Sequence, residues 1–516
     1  MAVLALVASQ PSTTAPHAMF APSRIKIVST LLTVGNRLLS TTPRAAATKL
    51  VDVAIVGSGF AGLAAAIEAA NTCPTGSIAI IEKMDTPGGN SIMNAGQVAA
   101  VGSKYQKLAG IEDSVELMTN DMLKAGVDLN HPNLLYKMIS TSNDLVEWTE
   151  KELGIKYRER VTQLGGHSVP RTLSTLNASG NDIIDPMLQK IKGMPNVELS
   201  LNTAFDTFVM SDDGNDVEGI RVVQNNNQEQ TIFCRRGVIL AAGGFSADVK
   251  FRSIQNPSFG ENVMSTNQPG ATAEVLKEAL KIGATPVQLS RIQLGPWTSP
   301  DEEGFGKAPF FCLGAGFPYG IIVDPDTSKR FVNELGNRYE RSMAILKVVG
   351  HPVVCLTDAD GAQHSLEKDL SKCEPAVKSY EGIPELAKAY GMDPDVLQAT
   401  VGDYNAGVDK GQDLFGKPLR SDVGPIVKPP FYATRLWPKV HHCMGGVHID
   451  EEARVIHIDG HPIGGLFAAG ELCGGVHGGD RLGSCATLDC LSFGRIAGHG
   501  AALRDPVNEK HFDLVA

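Results

Sequence analysis

Residues 51–62 read VDVAIVGSGFAG, and the stretch LAAAIEAA follows at 63–70. A β-branched apolar run, a glycine-rich turn and an alanine-rich segment predict a strand, a tight turn and a helix. A second apolar run at 78–81 ends in Glu82. Residues 51–82 therefore predict one βαβ unit with two parallel strands.

The turn has the spacing G-x-G-x-x-G, formed by Gly57, Gly59 and Gly62. In this pattern the first glycine permits the tight turn, the second lets a pyrophosphate approach the backbone, and the third lets the helix pack closely. The helix N-terminus then binds phosphate through free N–H groups. Glu82 stands where a carboxylate accepts from a ribose hydroxyl. The unit predicts a dinucleotide cofactor, either NAD or FAD.

Two further stretches favour FAD. Residues 83–97, KMDTPGGNSIMNAGQ, contain glycines and small polar residues that suit a backbone lying against a flat ring system. Residues 465–471, GLFAAGE, predict a strand that runs into Gly470 and Glu471. The Glu471 carboxylate is placed to meet a ribityl chain, although an ordinary strand-to-helix turn would have the same pattern.

The rest of the chain predicts an α/β fold with an insertion. Residues 196–244 alternate short apolar runs with polar turns, which is typical of an antiparallel meander. Residues 291–440 carry most of the Pro, Gly and aromatic punctuation and predict a separate inserted domain. Strand signals and dense glycines return after Val440. We expect 50–290 and 441–516 to form one dinucleotide-binding, Rossmann-like domain, with 291–440 as an α+β capping domain.

Composition excludes several classes of protein. The 516 residues carry 46 basic and 57 acidic side chains, a net charge of -11 with no basic block, so nucleic acid is not an expected partner. Nine scattered cysteines without a C-x-x-C spacing argue against disulfide, zinc-ribbon and c-type haem sites. The sequence contains no run of 18 consecutive apolar residues, so it does not predict a membrane-spanning helix. Residues 1–49 lack Asp and Glu and contain five basic residues, which predicts a mitochondrial presequence or, alternatively, an untargeted extension of a cytoplasmic protein.

Three stretches resemble one family. The GSGFAG fingerprint with its continuation EK…GGNS, the segment KRFVNELGNR at 329–338, and the C-terminal HHCMGG…GLFAAGELCGGVHGGDRLG resemble the soluble fumarate reductases and flavocytochrome c flavoprotein subunits. The resemblance covers residues 50–505. It implies an FAD-dependent reductase of an activated C=C bond, with non-covalent FAD and a capping domain. The cofactor-binding residues that this resemblance and the fingerprint together imply are Gly57, Gly59, Phe60, Ala61, Gly62, Glu82, Lys83, Gly89, Asn90, Ser91, Gly96, Ala242, His441, Gly470 and Glu471.

The resemblance also implies three catalytic residues. Arg338 matches the family's proton donor, Arg481 matches the carboxylate-binding arginine, and His442 matches the substrate-binding histidine. Each has a plainer alternative. Arg338 could pair with Glu334 on a helix surface, and Arg481 could pair with Asp480 or with Glu471. His442 belongs to a set of six histidines between 441 and 477 whose spacing does not favour a metal site.

The capping segment departs from the family pattern. Fumarate-specific members hold the second carboxylate with a His-Pro-Thr segment and a Thr-Glu-x-x-Arg segment, which also supplies their proton relay. Here these regions read LGPWT at 294–298 and FFCLGAGFPY at 310–319. Burying a second carboxylate among Trp297, Phe310 and Phe317 without a cation would be costly. We therefore expect a monocarboxylate enoate with a neutral tail, of the acrylate, cinnamate or urocanate type.

Two other functions stay open at this point. One is the reverse chemistry, a CH–CH dehydrogenase of a ketone or steroid with a tyrosine as acid/base, for which Tyr319 and Tyr339 are candidates. The other is a flavin-binding protein without catalysis. No motif identifies the electron donor, and reduced free flavin or a small redox partner is expected.

Overall fold

A computed structural model of the chain describes residues 47–507, which fall in one compact unit. The strands, in chain order, are β1 Ala47–Val56, β2 Ile78–Ile81, β3 Gln97–Ala99, β4 Thr172–Ser174, β5 Val197–Ser200, β6 Thr203–Met210, β7 Val217–Gln224, β8 Glu229–Leu240, β9 Pro286–Val287, β10 Ile292–Gly295, β11 Ile321–Asp324, β12 Lys329–Arg330, β13 Val353–Thr357, β14 Val377–Tyr380, β15 Phe431–Leu436, β16 Lys439–Cys443, β17 Gly446–Val447, β18 Arg454–Ile456 and β19 Pro462–Ala468.

The helices lie between and around these strands. In chain order they are α1 Phe60–Thr72, α2 Lys104–Leu108, α3 Val115–Ala125, α4 Pro132–Ser140, α5 Ser142–Leu153, α6 Asn181–Lys192, α7 Val249–Gln255, α8 Glu274–Lys281, α9 Ala308–Phe311, α10 Phe317–Tyr319, α11 Arg338–Met343, α12 Ala359–Ala362, α13 Ile383–Ala389, α14 Pro394–Lys410 and α15 Cys485–Leu503. Within residues 47–507 we find no helix that is both long and apolar enough to cross a bilayer.

The main sheet contains the predicted βαβ unit. Its strand order is β18-β19-β8-β1-β2-β5, and β1 pairs in parallel with both β2 and β8. The four residues of β2 are all buried, as expected of a strand covered on both faces. The predicted meander is confirmed for β6, β7 and β8. It is wrong for β5, which pairs in parallel with β2 and extends the main sheet instead.

The first strand begins earlier than the sequence suggested. Ala47, Thr48 and Lys49 belong to β1 and align with Gln230, Thr231 and Ile232 of β8. The boundary of the predicted extension therefore lies before residue 47, because strand pairing fixes these three residues. The rest of the predicted presequence, residues 1–46, lies outside the described residues.

A second, wholly antiparallel sheet lies inside the predicted insertion. Its order is β12-β11-β13-β15-β14. Its two faces contact separate apolar clusters, one around Ile321, Leu397 and Tyr404, the other around Trp297 and Phe311. The short ribbon of β10 and β16 stands at the two ends of the insertion. The limits of the capping domain at 291 and 440 stay a prediction, since no boundary divides residues 47–507.

The last helix closes the core of the main sheet. Helix α15 lies against α1, and two glycines four residues apart allow the close approach. A Cβ on Gly494 would lie 2.5 Å from the carbonyl oxygen of Ala61, and one on Gly498 would lie 2.3 Å from that of Ala65. Because both neighbours are backbone atoms, no side-chain rotation can relieve the overlap. The alanine-rich sequence of α1 thus fits a glycine face of α15.

We predict that Gly494→Ala lowers the free energy of unfolding by about 1–3 kcal/mol, because the new methyl group forces α15 away from α1. Urea unfolding followed by circular dichroism measures this. Gly402→Ala is the control, since Gly402 lies in α14 with open space around its Cβ position. It should stabilise the protein by about 0.4–1 kcal/mol. Equal effects of both substitutions would show that helix packing at Gly494 is not the cause.

Candidate active site and cofactor cavity

A cavity opens at the carboxyl end of the central strands of the main sheet. The fingerprint turn and the ends of β1 and β2 form one side of it, and Ala469 and Glu471, after β19, form another. In open α/β sheets, ligands bind at this edge. The wall thus combines the residues of the fingerprint with residues near the carboxyl end of β19, as a site for a dinucleotide requires.

Most of the predicted cofactor-binding residues lie on the cavity wall. These are Gly57, Gly59, Phe60, Ala61, Glu82, Lys83, Gly89, Asn90, Ser91, Ala242 and Glu471. Four others lie behind or beside it. A Cβ added to Gly62 or Gly96 would meet protein backbone, so these glycines pack against the protein itself. Gly470 lies against Cys490, and His441 contacts aromatic side chains.

The fingerprint glycines have the geometry that the motif predicts. Gly57 has a φ of +105° and its Cβ position lies 2.4 Å from the carbonyl oxygen of Ala241, so an L side chain fits neither the conformation nor the space. A Cβ on Gly62 would meet the carbonyl oxygen of Gly57 at 1.9 Å. These contacts press α1 onto the turn and direct its N-terminal N–H groups into the cavity.

Glu82 fixes the loop as well as lining the cavity. Its Oε2 accepts hydrogen bonds from the Ser58 backbone N–H at 3.1 Å and from the Ser58 hydroxyl at 2.6 Å. Its Oε1 accepts from the Met84 N–H at 3.0 Å. The predicted ribose contact stays a prediction. The ammonium of Lys83 reaches Glu274 at 2.6 Å across the cavity mouth.

Part of the wall carries no sequence motif. It comes from β6, from the segment before α8 and from the start of α8, and its residues are Thr203, Phe205, Gln268, Gly270, Ala271, Thr272, Glu274 and Val275. Asn90 Oδ1 accepts a hydrogen bond from the Gln268 N–H at 2.8 Å, which joins this segment to the predicted GGNS stretch. A polar loop without a repeated pattern gives no signal that would have identified these residues from the sequence.

Arg338 and Arg481, 143 positions apart by their residue numbers, converge on one side chain. Arg338 Nη1 donates to Gln293 Oε1 at 2.7 Å, and Arg481 Nη2 donates to the same oxygen at 3.0 Å. Gln293 Nε2 donates to the Asp480 carboxylate and, at 2.8 Å, to the backbone carbonyl of Arg481. Gln293 is 3% exposed. Sequence reasoning did not single it out.

Strand pairing explains why Gln293 reaches the histidines. In the ribbon of β10 and β16, Gln293 lies opposite His442.

The loop before α11 is held by a buried ionic network, in which Arg330 contacts Glu334 at 2.8 Å and Asp413 at 2.7 Å. Lys417 is 3.7 Å from Glu334. Since these cations neutralise Glu334, the surface pair of Arg338 with Glu334 does not form.

Burial and a neighbouring positive charge lower the pKa of Arg338. Desolvation, together with the positive charge of Arg481, lowers the pKa of Arg338 to about 9. Burial also lowers the pKa of Arg481. The Arg338 guanidinium carbon lies 4.6 Å from the centre of the Trp297 ring, a cation–π contact that fixes the orientation of its plane.

The two neighbouring histidines contact different groups. His441 lies 5.3 Å from Trp297 and 6.2 Å from Phe305, ring centre to ring centre. His442 Nδ1 lies 3.5 Å from Glu471 Oε2, on the cavity side. The resemblance implied substrate binding by His442 and cofactor binding by His441. Both roles stay predictions, and these contacts favour the reverse assignment.

The site residues fit a bound flavin and substrate. His442 Nε2 and Arg481 Nε are buried and have no hydrogen-bond partner, and neither does Asn267 Oδ1. Burial, followed by the charge of Arg481, lowers the pKa of both His441 and His442 well below the usual value, so both rings are neutral. Buried polar atoms without partners in a native site call for a ligand or water.

The histidine set between 441 and 477 does not converge on one point. His442 contacts His477 at 5.5 Å between ring centres, and His457 stacks on His461 at 4.9 Å. Ligand atoms of His457, Asp459 and His461 lie within 4.8 Å of one another on the turn between β18 and β19.

Comparison with known proteins agrees with this geometry. The family model for the FAD binding domain matches residues 52–487. The acrylate reductase flavoprotein subunit of Shewanella woodyi is 39% identical over 87% of this chain and 90% of its own. The urocanate reductase of Eggerthella lenta is 33% identical over 88% of this chain and 74% of its own. The open conformation of a flavocytochrome c3 fumarate reductase superposes with a TM-score of 0.75, at 31% identity, over 88% of this chain and 78% of that one.

We predict that Glu471 makes the flavin-free protein less stable as pH rises. Desolvation raises the pKa of Glu471 from 4.5 to about 7. The folded state therefore keeps a proton that the unfolded chain loses, and this stabilisation is complete below pH 4.5 and lost as pH rises through 7. The loss is about 3 kcal/mol at most. Denaturant unfolding between pH 4.5 and 8 should show this slope, and Glu471→Gln should flatten it. An unchanged slope would contradict the prediction.

Proposed function

The chain belongs to the FAD binding domain family, and from this premise we propose that it is an FAD-dependent reductase of the activated C=C bond of an α,β-unsaturated monocarboxylate. The observation that carries the proposal is the convergence of Arg338 and Arg481 on Gln293, with Trp297 stacked on Arg338. Bound FAD would lie along the cavity wall between the fingerprint and Glu471 and would supply the hydride.

Side chains of the protein bind the substrate carboxylate and supply the proton. Arg481 presents a planar, buried guanidinium that suits a carboxylate and takes up the negative charge that develops on it. Arg338 holds the proton for the α-carbon, and its lowered pKa makes the transfer less unfavourable than from a free guanidinium. The neutral imidazole of His441 can donate or accept a hydrogen bond beside Arg338. Gln293 keeps the two arginines at a fixed spacing.

The aromatic wall favours a substrate with a neutral tail. Trp297 and Phe305 contact the ring of His441, Phe310 packs against Phe305, and Trp297 is 2% exposed. Lys307 lies over the ring of Phe310, but its side chain is exposed to solvent. A second buried carboxylate would gain little from it. Acrylate-, cinnamate- and urocanate-type acids fit this wall.

Phe317, the third aromatic residue expected in the wall, packs against Arg341, with 4.7 Å between the guanidinium carbon and the ring centre. It lies in the same buried apolar cluster as Trp297. The segment 312–316 that precedes it forms a π-helical turn.

The dehydrogenase alternative has less support. The Tyr319 hydroxyl is hydrogen-bonded to Asp422 at 2.6 Å and to Arg420, and Tyr339 is 62% exposed. Neither hydroxyl forms a hydrogen bond with Arg338 or Arg481. The non-catalytic alternative predicts a decayed site, whereas the arginines and both histidines are held in place by specific contacts.

We further propose reduced free flavin or a small redox protein as the electron donor, because no second nucleotide motif accompanies the fingerprint. The acid-free composition of residues 1–49 supports import into mitochondria, with the cytoplasm as the alternative.

A stopped-flow panel tests the function. The purified flavoprotein is reduced with dithionite, and its reoxidation by acrylate, cinnamate, urocanate and fumarate is followed anaerobically. We expect fast reoxidation by at least one monocarboxylate and at least about 10-fold slower reoxidation by fumarate, because binding fumarate would desolvate a second carboxylate against the aromatic side chains of Phe305 and Phe310. Equal or faster reoxidation by fumarate would overturn the monocarboxylate assignment.

Substitutions of the two arginines test whether they take part in the reaction. Arg338→Ala should lower the reoxidation rate by about 100-fold or more through loss of the proton donor, with a small effect on KM. Arg481→Ala should raise KM as well. Arg420→Ala is the matched control, since Arg420 contacts Asp422 and Tyr319 only. A control variant as impaired as Arg338→Ala would show that general destabilisation explains the losses.

A further inference from the structure

Arg341 is a buried cation without a counter-ion. Its side chain is 7% exposed, and both Nε and Nη1 are buried without a hydrogen-bond partner. Between residues 47 and 507, no carboxylate lies within ion-pair distance of its guanidinium. Its contact is with the face of Phe317. An unpaired buried charge costs several kcal/mol, so its presence requires a reason.

Two buried arginines away from the site, Arg252 and Arg171, have partners for their guanidinium groups. Arg252, 1% exposed, donates to the backbone carbonyls of Phe259 at 2.9 Å and Gly260 at 3.0 Å and to two further carbonyls. Arg171 is paired with Asp113 and Asp121. The guanidinium groups of Arg252 and Arg171 therefore have polar partners, whereas Nε and Nη1 of Arg341 have none.

Arg341 lies one helical turn after Arg338 on α11. Residues three apart on a helix are neighbours, with Cβ atoms about 5–6 Å apart. The two guanidiniums contact two aromatic rings of the same cluster, Trp297 and Phe317. A second positive charge so close, in a region of low dielectric, opposes protonation of its neighbour.

Resting on the proposed function, we propose that Arg341 is a positioning residue that, together with burial and Arg481, makes Arg338 a proton donor, by holding an unpaired guanidinium on the next turn of α11. In each turnover Arg338 gives one proton to the substrate α-carbon and takes one back from solvent. The charge of Arg341 favours the first step because it destabilises the protonated form of Arg338. Its lack of a counter-ion keeps that charge unscreened.

Other charged or titratable groups surround the pair. Facing Arg341 from four other segments are Glu334, Cys312, Cys355 and Asp480. Facing Arg338 are Arg481, Asp480 and Cys485. Glu334 is already engaged by Arg330 and Lys417, and Asp480 accepts from Gln293. Asp480 is half-buried, so it also offers a route from solvent for the returning proton.

The test compares Arg341→Met, which keeps the length of the side chain without its charge, with Arg341→Lys, which keeps the charge. The first readout is the alkaline limb of the pH profile of kcat for the enoate that reoxidises the wild type fastest. The second is the titration of Arg338 in holoenzyme labelled with ¹³C at the arginine Cζ, assigned with Arg338→Lys. The NMR titration does not depend on turnover.

We expect Arg341→Met to move both the limb and the Arg338 titration upward by about one pH unit. Because Arg338 then holds its proton more tightly, kcat at pH 7 should fall about three- to tenfold with little change in KM. Arg341→Lys should restore the wild-type limb. Lys347→Met, which removes an exposed charge from the next turn of the same segment, should leave the limb in place.

Three results would overturn the inference: an unmoved Arg338 titration in Arg341→Met, a kcat loss that Arg341→Lys does not restore, or a rise in KM confined to fumarate. The last would show that Arg341 binds a second carboxylate. If Arg341→Met does not fold, Arg341→Gln takes its place. Absence of enoate turnover by the wild type would refute the proposed function, and the NMR titration would still decide the role of Arg341.

Discussion

Two guanidinium groups donate to one carbonyl oxygen, that of Gln293, and like charges so placed in a dry interior repel each other. The surrounding structure is arranged to tolerate this. Asp480 polarises the Gln293 amide from the other end, and Trp297 offers the face of its ring to Arg338. A carboxylate in place of the amide would offset one of the two positive charges. The neutral Gln293 aligns them and leaves their charge available for a ligand.

The capping region supplies rigidity to this arrangement. Arg330, Glu334, Asp413 and Lys417 form a buried network with both signs of charge in close contact. It fixes the loop that ends at Asn337, whose side chain caps the N-terminus of α11. The backbone of Arg338 is therefore set by groups that take no part in binding. Satisfied charges hold the scaffold, and unsatisfied charges lie at the reacting end.

Sequence reasoning identified what local pattern determines. The fingerprint and the parallel pairing of β1 with β2 were predicted because strand–turn–helix periodicity and a short motif encode them. The shared site of Arg338 and Arg481 was implied by the family resemblance, since no local pattern joins two residues so far apart in the chain. Gln293 was missed because its role comes from pairing with β16, a contact across about 150 residues. The roles of His441 and His442 stay predictions for a related reason. Adjacent residues in a strand point to opposite faces, and only the register of β16 decides which face is which.

The main sheet is completed from both ends of the chain. Strand β1 starts it, β19 pairs with β8, and α15 covers α1 with its glycine face. Between them lies the whole capping segment. During synthesis, the turn that holds the pyrophosphate emerges first, but Glu471 and the helix that supports the turn emerge some 400 residues later. The growing chain therefore carries an unfinished apolar sheet until α15 has been made, and the flavin cavity is complete only after residues 469–490 have been added.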